Sequence, residues 1–290
     1  MNFSPVLLLN IRLSVITVSV NWWSTNLIQN TEALTTITAE KEHIRTELGL
    51  AARIQYSAIP IITPGLSSRN EFTLGAYITT AKEAGGDFYD FFPLDDDRLA
   101  LVIADVSGKG IPAALFMMTA KVMISSRAQV GGTPAEILSD VNQRLCENNP
   151  TKMFVTVWLG IVDPKTGVLT ACNAGHEEPA LRRENGGFEY VHDKHGIVLG
   201  GLKRSTYTDY EIAMNPGDVM FVFTDGIPEA VYHDKRFYSL ERLLCTLNSA
   251  GSTEPDVLID TMKKSVDEFT GDAEQFDDQT MLCIRYNGQK

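Results

Sequence analysis

Residues 84–110 read AGGDFYDFFPLDDDRLALVIADVSGKG. Two hydrophobic runs, 88–94 and 99–104, flank a short polar turn, which predicts a β-hairpin. Asp87 opens the first strand and Asp105 closes the second, so antiparallel pairing brings both carboxylates to one end of the hairpin. Glycine or another small residue adjoins each aspartate and lets the backbone approach a ligand. Two carboxylates at such a rim suit a hard divalent cation, and a solvated hairpin end is the alternative.

Composition limits the classes of function. The chain has 290 residues, of which 44% are hydrophobic and 21% charged. This balance allows one large domain with an additional segment. The formal net charge of -12 argues against nucleic acid as a partner and against electrostatic attachment to anionic lipid. The four cysteines are scattered and form no C-x-x-C pair. We therefore expect buried thiols and a cytoplasmic catalytic domain.

Residues 1–30 differ from the rest of the chain, because Val6 to Trp23 is mostly apolar. The apolar run is short for a transmembrane helix and is interrupted by Asn10 and Arg12. It also has no clear small-residue cleavage site for a signal peptide. Two interpretations stay open, a truncated or atypical membrane anchor and a packed or poorly ordered N-terminal tail.

Residues 31–57 have the pattern of one long helix, within a predicted helical linker over residues 31–60. About three imperfect heptads place apolar residues on one side and charged residues on the other. The pattern is typical of a dimerising or signalling coiled coil, through which two copies of the chain would pair. A helix packed on its own domain is the alternative. Pro60 and Pro64 are expected to end the helix. The apolar positions are Leu34, Ile37, Ile44, Leu48 and Ala51, with Lys41 and Gln55 interrupting the seam.

The chain after Pro64 mixes strands and helices. Many antiparallel strands with helices in pairs predict an α+β sandwich in which helices cover the sheet faces. Thr133 to Glu136 forms a capping box with proline at the first helical position, which marks a helix start. Without repeats or a low-complexity linker, residues 66–290 are expected to form one domain. Besides the hairpin, strands are predicted over 71–79, 154–162, 168–173, 178–183, 188–192, 207–213, 218–223 and 280–286, and helices over 110–129, 133–148, 239–248 and 255–269.

Later parts of the sequence repeat the pattern of an aspartate at a strand end. Asp225 follows a buried strand and precedes a glycine, and Asp277 and Asp278 come just before the last strand. Together with the hairpin pair, these aspartates could converge on one rim. The short aspartate stem holds its carboxylate rigidly. Oxygen ligands with no histidine or cysteine set nearby predict Mg²⁺ or Mn²⁺ rather than zinc.

Five motifs in this order resemble those of the metal-dependent type-2C (PPM) Ser/Thr phosphatases. More narrowly, they resemble the bacterial branch that controls sporulation and stress sigma factors. The resemblance covers about residues 50–290 and includes residues 51–55, which resemble the helix leading into the domain in that branch. It implies a central antiparallel β-sandwich flanked by pairs of antiparallel helices, preceded by an N-terminal helix, with metals at one end of the sandwich. The motifs are AGGDFYD, ADVSGKG, NAGH, TDGIPEA and FDDQT.

The resemblance implies roles for the hairpin residues. Asp87 matches the first metal ligand of the family and Asp105 matches the aspartate that bridges two metals. The carbonyl of Val106 takes the place of a glycine carbonyl. Two Mn²⁺ or Mg²⁺ ions would share a water, lower its pKa and hold the phosphate for in-line attack, so no protein nucleophile is needed.

The late aspartates and one lysine complete the expected site. Asp225 and Asp277 match the two late ligands and, with the hairpin pair, form the expected catalytic set. Many relatives have asparagine where this chain has Asp278, so the choice between Asp277 and Asp278 as the late ligand stays open. Lys82 precedes Asp87 by five residues, near the place where larger eukaryotic relatives carry a phosphate-binding arginine. We predict that Lys82 holds phosphate as a point charge, with a solvated surface lysine as the alternative.

These features predict a manganese- or magnesium-dependent protein Ser/Thr phosphatase. The family points to a phosphorylated anti-sigma-factor antagonist of the STAS type as substrate and partner. Two alternatives remain, a non-catalytic module of the same fold that only binds its partner, and a hydrolase of small phosphoesters. The run SGKG at 107–110 looks like half a P-loop, but Ile103 stands where the first glycine is required, so ATP binding there is rejected.

Overall fold

The computed structural model describes residues 5–62, 70–95, 97–147, 149–194 and 196–289. Its contacts divide the chain into two units, Met1–Leu50 and Ala51–Lys290. The first unit is helical. The second contains the β-sheets and the remaining helices described below.

Helix α1 spans Pro5–Ala58 without a break. It contains the predicted helix at 31–57 and extends further toward the N-terminus, into the apolar segment. It ends two residues before Pro60, as expected for a helix stopped by proline. Pro64, the second expected stop, lies outside the described residues.

The apolar heptad positions of α1 are open to solvent in the first unit. Leu34, Ile37 and Ile44 are 64%, 61% and 49% exposed. An apolar strip of this kind is what a coiled-coil partner would cover.

The structure also bears on the proposed membrane anchor. In the part of the chain that the structure describes, no helix combines the length and apolar character needed to cross a bilayer.

The second unit contains two five-stranded antiparallel sheets. One has the strand order β1-β10-β9-β6-β7 and the other β2-β3-β4-β5-β8. The predicted elements after residue 66 are present, with ends that differ from the prediction by three residues or fewer. The strands are β1 Phe72–Thr79, β2 Phe88–Pro93, β3 Leu99–Val106, β4 Val155–Asp163, β5 Val168–Ala174, β6 Ala180–Arg182, β7 Phe188–Tyr190, β8 Tyr210–Ala213, β9 Val219–Phe223 and β10 Gln279–Tyr286. The helices are α2 Ile111–Ala128, α3 Pro134–Glu147, α4 Leu240–Ser249 and α5 Pro255–Thr270.

Alternating side chains of β9 and β10 explain why both faces of their sheet are covered. Met220 and Leu282 belong to the main core, shared with the other sheet. Phe221 and Met281, one position away in each strand, pack instead in the cluster that contains residues of α4 and α5. Because side chains of a strand point to opposite faces in turn, this sheet lies between the second sheet and a helix pair. The α+β sandwich with paired helices is therefore confirmed.

The start of α3 shows how local sequence sets an element boundary. The backbone N–H of Thr133 donates to Glu136 Oε2 at 3.0 Å, and the N–H of Glu136 donates to Thr133 Oγ1 at 3.4 Å. These reciprocal bonds satisfy two donors that a helix N-terminus leaves free. The predicted capping box is confirmed.

Candidate metal centre

The strand register places Asp87 beside Asp105. Phe88 pairs with Ala104 across β2 and β3, so the two aspartates are neighbours at one end of the hairpin. Asp87 is 1% exposed, whereas Asp105 is partly exposed. The hairpin prediction is correct, and it delivers the two carboxylates to the same place.

Two threonine hydroxyls from the other sheet fix the Asp87 carboxylate. Thr224 Oγ1 and Thr280 Oγ1 each donate to Asp87 Oδ2 at 2.7 Å. The backbone N–H of Thr280 also donates to Thr224 Oγ1 at 3.0 Å. Thr224 directly precedes Asp225, so the bonds that hold the first carboxylate also fix the position of another.

Asp278 holds the loop that leads to Asp87. Its Oδ1 accepts from the N–H of Ala81 at 2.8 Å, and its Oδ2 accepts from the N–H of Gly86 at 2.7 Å. A longer bond of 3.4 Å joins the N–H of Asp87 to the same Oδ2. A Cβ at Gly85 would lie 2.2 Å from that oxygen, so only glycine fits there. The carboxylate thus has backbone donors on both oxygens.

The end of α1 supports the same loop from its other side. Gln55 Nε2 donates to the carbonyl of Gly85 at 2.6 Å, and Gln55 Oε1 accepts from the N–H of Gly85 at 3.2 Å. Ala52 packs with Ala84 and Ala114 in a small apolar cluster. In the sequence, Gln55 interrupts the heptad seam and ends the segment 51–55 that resembles the helix leading into the domain, but neither pattern predicts its contact with Gly85. A polar residue in an otherwise apolar seam was the sequence signal that Gln55 could hold a neighbouring loop.

The remaining site residues differ in their surroundings. Val106 is buried, and its carbonyl oxygen would lie 2.7 Å from a Cβ at Gly86, so that carbonyl faces the loop. Asp277 Oδ2 lies 2.8 Å from Lys109 Nζ. Lys82 is exposed, and its carbonyl accepts from Thr80 Oγ1 at 2.6 Å. In the sequence, Lys109 lies in the ADVSGKG motif and in the run SGKG that was rejected as a P-loop, and neither pattern predicts its contact with Asp277.

The carboxylates lie close enough to raise one another's pKa. Burial raises the pKa of Asp87 well above its usual value, and repulsion by Asp105 and Asp278 adds to the rise. Burial, followed by repulsion from Asp225, raises the pKa of Asp105 to about 7. Burial and repulsion by Asp277 raise the pKa of Asp225 to about 6. Mutual repulsion of this kind is what the predicted convergence of the strand-end aspartates would produce.

The donor chemistry of this rim fits a hard cation. Carboxylate and carbonyl oxygens are the ligands that Mg²⁺ and Mn²⁺ prefer, and a bound cation would relieve the repulsion. Among the described residues, however, no three acidic, histidine or cysteine side chains form a compact set that could hold a metal ion. The ligand set therefore stays a prediction that rests on charge and donor type.

Comparison with known proteins identifies the family. A family model described as Stage II sporulation protein E (SpoIIE) matches residues 95–287, more than half of the chain. The chain belongs to the SpoIIE family. The resemblance to the sigma-factor-regulating branch of the PPM phosphatases is confirmed.

Individual relatives agree with this family. Protein IcfG of Synechocystis sp. (strain ATCC 27184 / PCC 6803 / Kazusa) is 30% identical over 84% of the chain and 42% of that protein. Phosphoserine phosphatase RsbU of Bacillus subtilis (strain 168) is 29% identical over 67% of the chain and 57% of that protein. The chain thus spans about half the length of these curated relatives.

A solved structure supports the fold. The SiaA-PP2C domain of Pseudomonas aeruginosa matches with a TM-score of 0.75 at 21% identity, covering 86% of the chain and 99% of that domain. The expected PPM-type phosphatase fold is confirmed.

We expect Gly85→Ala to weaken divalent metal binding without removing any acidic group. The added methyl would lie 2.2 Å from Asp278 Oδ2 and 2.5 Å from Thr80 Cγ2, so the loop before Asp87 must shift. Such overpacking costs about 1–3 kcal/mol. Calorimetric Mn²⁺ titration and thermal unfolding measure both effects. Gly186→Ala is the matched control, because its Cβ would approach no atom closer than 3.7 Å. Equal metal affinity in the two variants would refute the role of the loop.

The metal-free protein should lose stability as the pH rises from about 4 to 8. The folded pKa of Asp105 is about 7 and the ordinary value is 3.8, so the folded state keeps a proton that the unfolded chain has already lost. The stability from that proton is complete below pH 3.8 and is lost as the pH rises through about 7. Unfolding midpoints in excess chelator at pH 5 and pH 8 test this. The drop should shrink in Asp105→Asn, and an equal drop would show that Asp105 is not its source.

Proposed function

We propose that the chain is a metal-dependent protein serine/threonine phosphatase whose substrate is a phosphorylated STAS-type anti-anti-sigma protein. The observation that carries the proposal is the position of Asp87 beside Asp105 at one end of the β2–β3 hairpin, in a chain with a PP2C fold. The family supports a role in sigma-factor regulation, and the name of RsbU supports phosphoserine as the substrate group. Residues 66–290 contain the proposed ligands.

We assign the metal ligands to Asp87, Asp105, Asp225 and Asp277, with the carbonyl of Val106. Two bound Mn²⁺ or Mg²⁺ ions would supply a water of lowered pKa and positive charge for the phosphate. Asp105 is the proposed bridge, since it interacts with carboxylates of both sheets.

The other residues of the site position these ligands. Thr224 and Thr280 fix the orientation of Asp87 through its Oδ2. Asp278 is better suited to holding the loop than to binding metal, because both of its oxygens already accept backbone N–H groups. We therefore favour Asp277 over Asp278 as the late ligand. No side chain needs to attack phosphorus, so we expect no phosphorylated form of the protein during turnover.

Asp105→Asn should abolish turnover, weaken Mn²⁺ binding and leave the metal-free protein as stable as wild type or more so. The substitution keeps the shape of the side chain but removes one of the mutually repelling charges. The measurements are phosphate release from a phosphorylated STAS-type protein, Mn²⁺ calorimetry, and melting temperature with and without chelator. Because metal binds the folded state, Mn²⁺ should raise the melting temperature of wild type. Asp97→Asn, in the hairpin turn, is the matched control and should behave as wild type.

Several outcomes would refute the proposal. Full activity in excess chelator or in Asp105→Asn would exclude the two-metal site, and a covalent phosphoenzyme would exclude direct attack by water. Partner binding without phosphate release would favour the non-catalytic module. Hydrolysis of an aryl phosphate that a phosphopeptide cannot inhibit would favour the small-molecule hydrolase.

We also propose that residues 31–57 mediate homodimerisation and carry an upstream signal. The exposed apolar strip of α1 supports this proposal. Attachment to a membrane through the segment before residue 31 is a further proposal.

Leu48→Asp should change the oligomeric state or the phosphatase rate without unfolding residues 66–290. A charge at a heptad position opposes pairing, and packed helices can transmit small shifts to ligands at strand ends. Light scattering, turnover and thermal unfolding are the measurements. Thr46→Asp adds the same charge on the opposite side of the heptad and serves as control. If Leu48→Asp leaves both mass and rate unchanged, the helix has neither role.

A further inference from the structure

Lys109 occupies a loop at the rim of the candidate metal centre, four residues after Asp105. Its neighbours Gly108 and Gly110 have φ of 88° and 78°. A Cβ at either glycine would meet no atom within 4 Å, so the backbone conformation and not crowding requires glycine there. The loop between β3 and α2 therefore has a backbone conformation, set by its two glycines, that fixes the position of Lys109.

Three contacts hold the Lys109 ammonium group. Nζ lies 2.8 Å from Asp277 Oδ2, donates to the carbonyl of Phe276 and sits 4.0 Å from the centroid of the Phe276 ring. The last is a cation–π contact. Phe276 is 61% exposed and the Lys109 side chain 29% exposed. The ammonium thus lies beside a proposed metal ligand and within reach of a phosphate that arrives from solvent on another protein.

The negative charge of the rim makes a protein cation favourable for binding a phosphate there. Among the described residues, Lys109 and Asp277 form the only ion pair that includes a proposed metal ligand. A phosphomonoester carries negative charge into a site built from carboxylates, so a protein cation at its edge is favourable. An ammonium on a flexible four-carbon stem can turn from a carboxylate to a nearby phosphate, which a rigidly held group cannot do.

We propose that Lys109 binds the phosphate group of the substrate and of the product. It pairs with Asp277 when that carboxylate has no other cation, and it becomes available to phosphate once Asp277 serves as a metal ligand. This inference rests on the phosphatase function proposed above and names the residue that recognises its phosphate. It assigns to Lys109 the contact that the sequence analysis predicted for Lys82.

The test is calorimetric titration of inorganic phosphate into Mg²⁺-saturated protein. Lys109→Met should weaken phosphate binding about tenfold or more, the loss expected for one charge-assisted hydrogen bond. It should raise KM for a phosphopeptide by a similar factor. Lys109→Arg, which keeps the charge, should restore most of the affinity. Mg²⁺ affinity should stay equal or increase in Lys109→Met, because a competitor for Asp277 is removed.

Lys165→Met is the matched control. Lys165 is also paired with an aspartate, Asp97, at 2.5 Å, but it lies in the turn between β4 and β5, at the opposite end of the sheet from Asp105. It should bind phosphate and Mg²⁺ as wild type does. Weakened phosphate binding in this control as strong as in Lys109→Met would overturn the inference.

The outcomes separate this inference from the function on which it rests. Turnover by wild type with unchanged phosphate affinity in Lys109→Met would refute the role of Lys109 and leave the phosphatase proposal standing. Weakened Mg²⁺ binding in Lys109→Met would also refute it, because the lysine would then only orient Asp277. Selective loss of phosphate affinity together with no turnover on any phosphoprotein would support the role of Lys109 and contradict the phosphatase.

Discussion

The hydrogen bonds from two threonines to one buried carboxylate join the two sheets of the sandwich. Asp87 directly precedes β2 of one sheet, whereas Thr224 directly follows β9 and Thr280 lies in β10 of the other sheet. Burying a carboxylate without hydrogen-bond partners would cost free energy. These bonds therefore stabilise the one alignment of the two sheets in which both threonines reach Asp87. That alignment also sets the positions of the other strand-end aspartates. The sandwich and the candidate metal centre therefore depend on the same contact.

The rim stores unfavourable electrostatic energy. Burial and mutual repulsion raise the pKa values of Asp87, Asp105 and Asp225 together. A protein selected for stability alone would replace such groups with apolar ones, as buried charges generally contribute little to stability. A cation-binding role would explain why these carboxylates lie together beside an otherwise apolar core. The same repulsion makes any positive charge at the rim valuable, whether it is a metal ion or an ammonium group.

Local patterns in the sequence were sufficient for the elements and for the placement of the aspartates. Alternating apolar residues, turn residues and the capping box act over a few positions, and an aspartate at a strand end keeps that place in the fold. The contacts that orient the site join distant residues, such as Gln55 with Gly85 and Asp278 with Ala81. No short-range pattern encodes these pairs, because they exist only after the sheets have packed. The pairing of Lys109 with Asp277 escaped the sequence analysis for the same reason.

The amide of Gln55 has a consequence for where the working part of the chain begins. Residues 66–290 contain every proposed ligand, but the backbone N–H and carbonyl of Gly85 find their partners in the last turns of α1. A fragment that begins at residue 66 would keep the proposed ligands but lose the hydrogen bonds from Gln55 to the loop that precedes Asp87. For protein expression and for domain grafting, the natural start is therefore near Ala51, where the contacts also divide the chain.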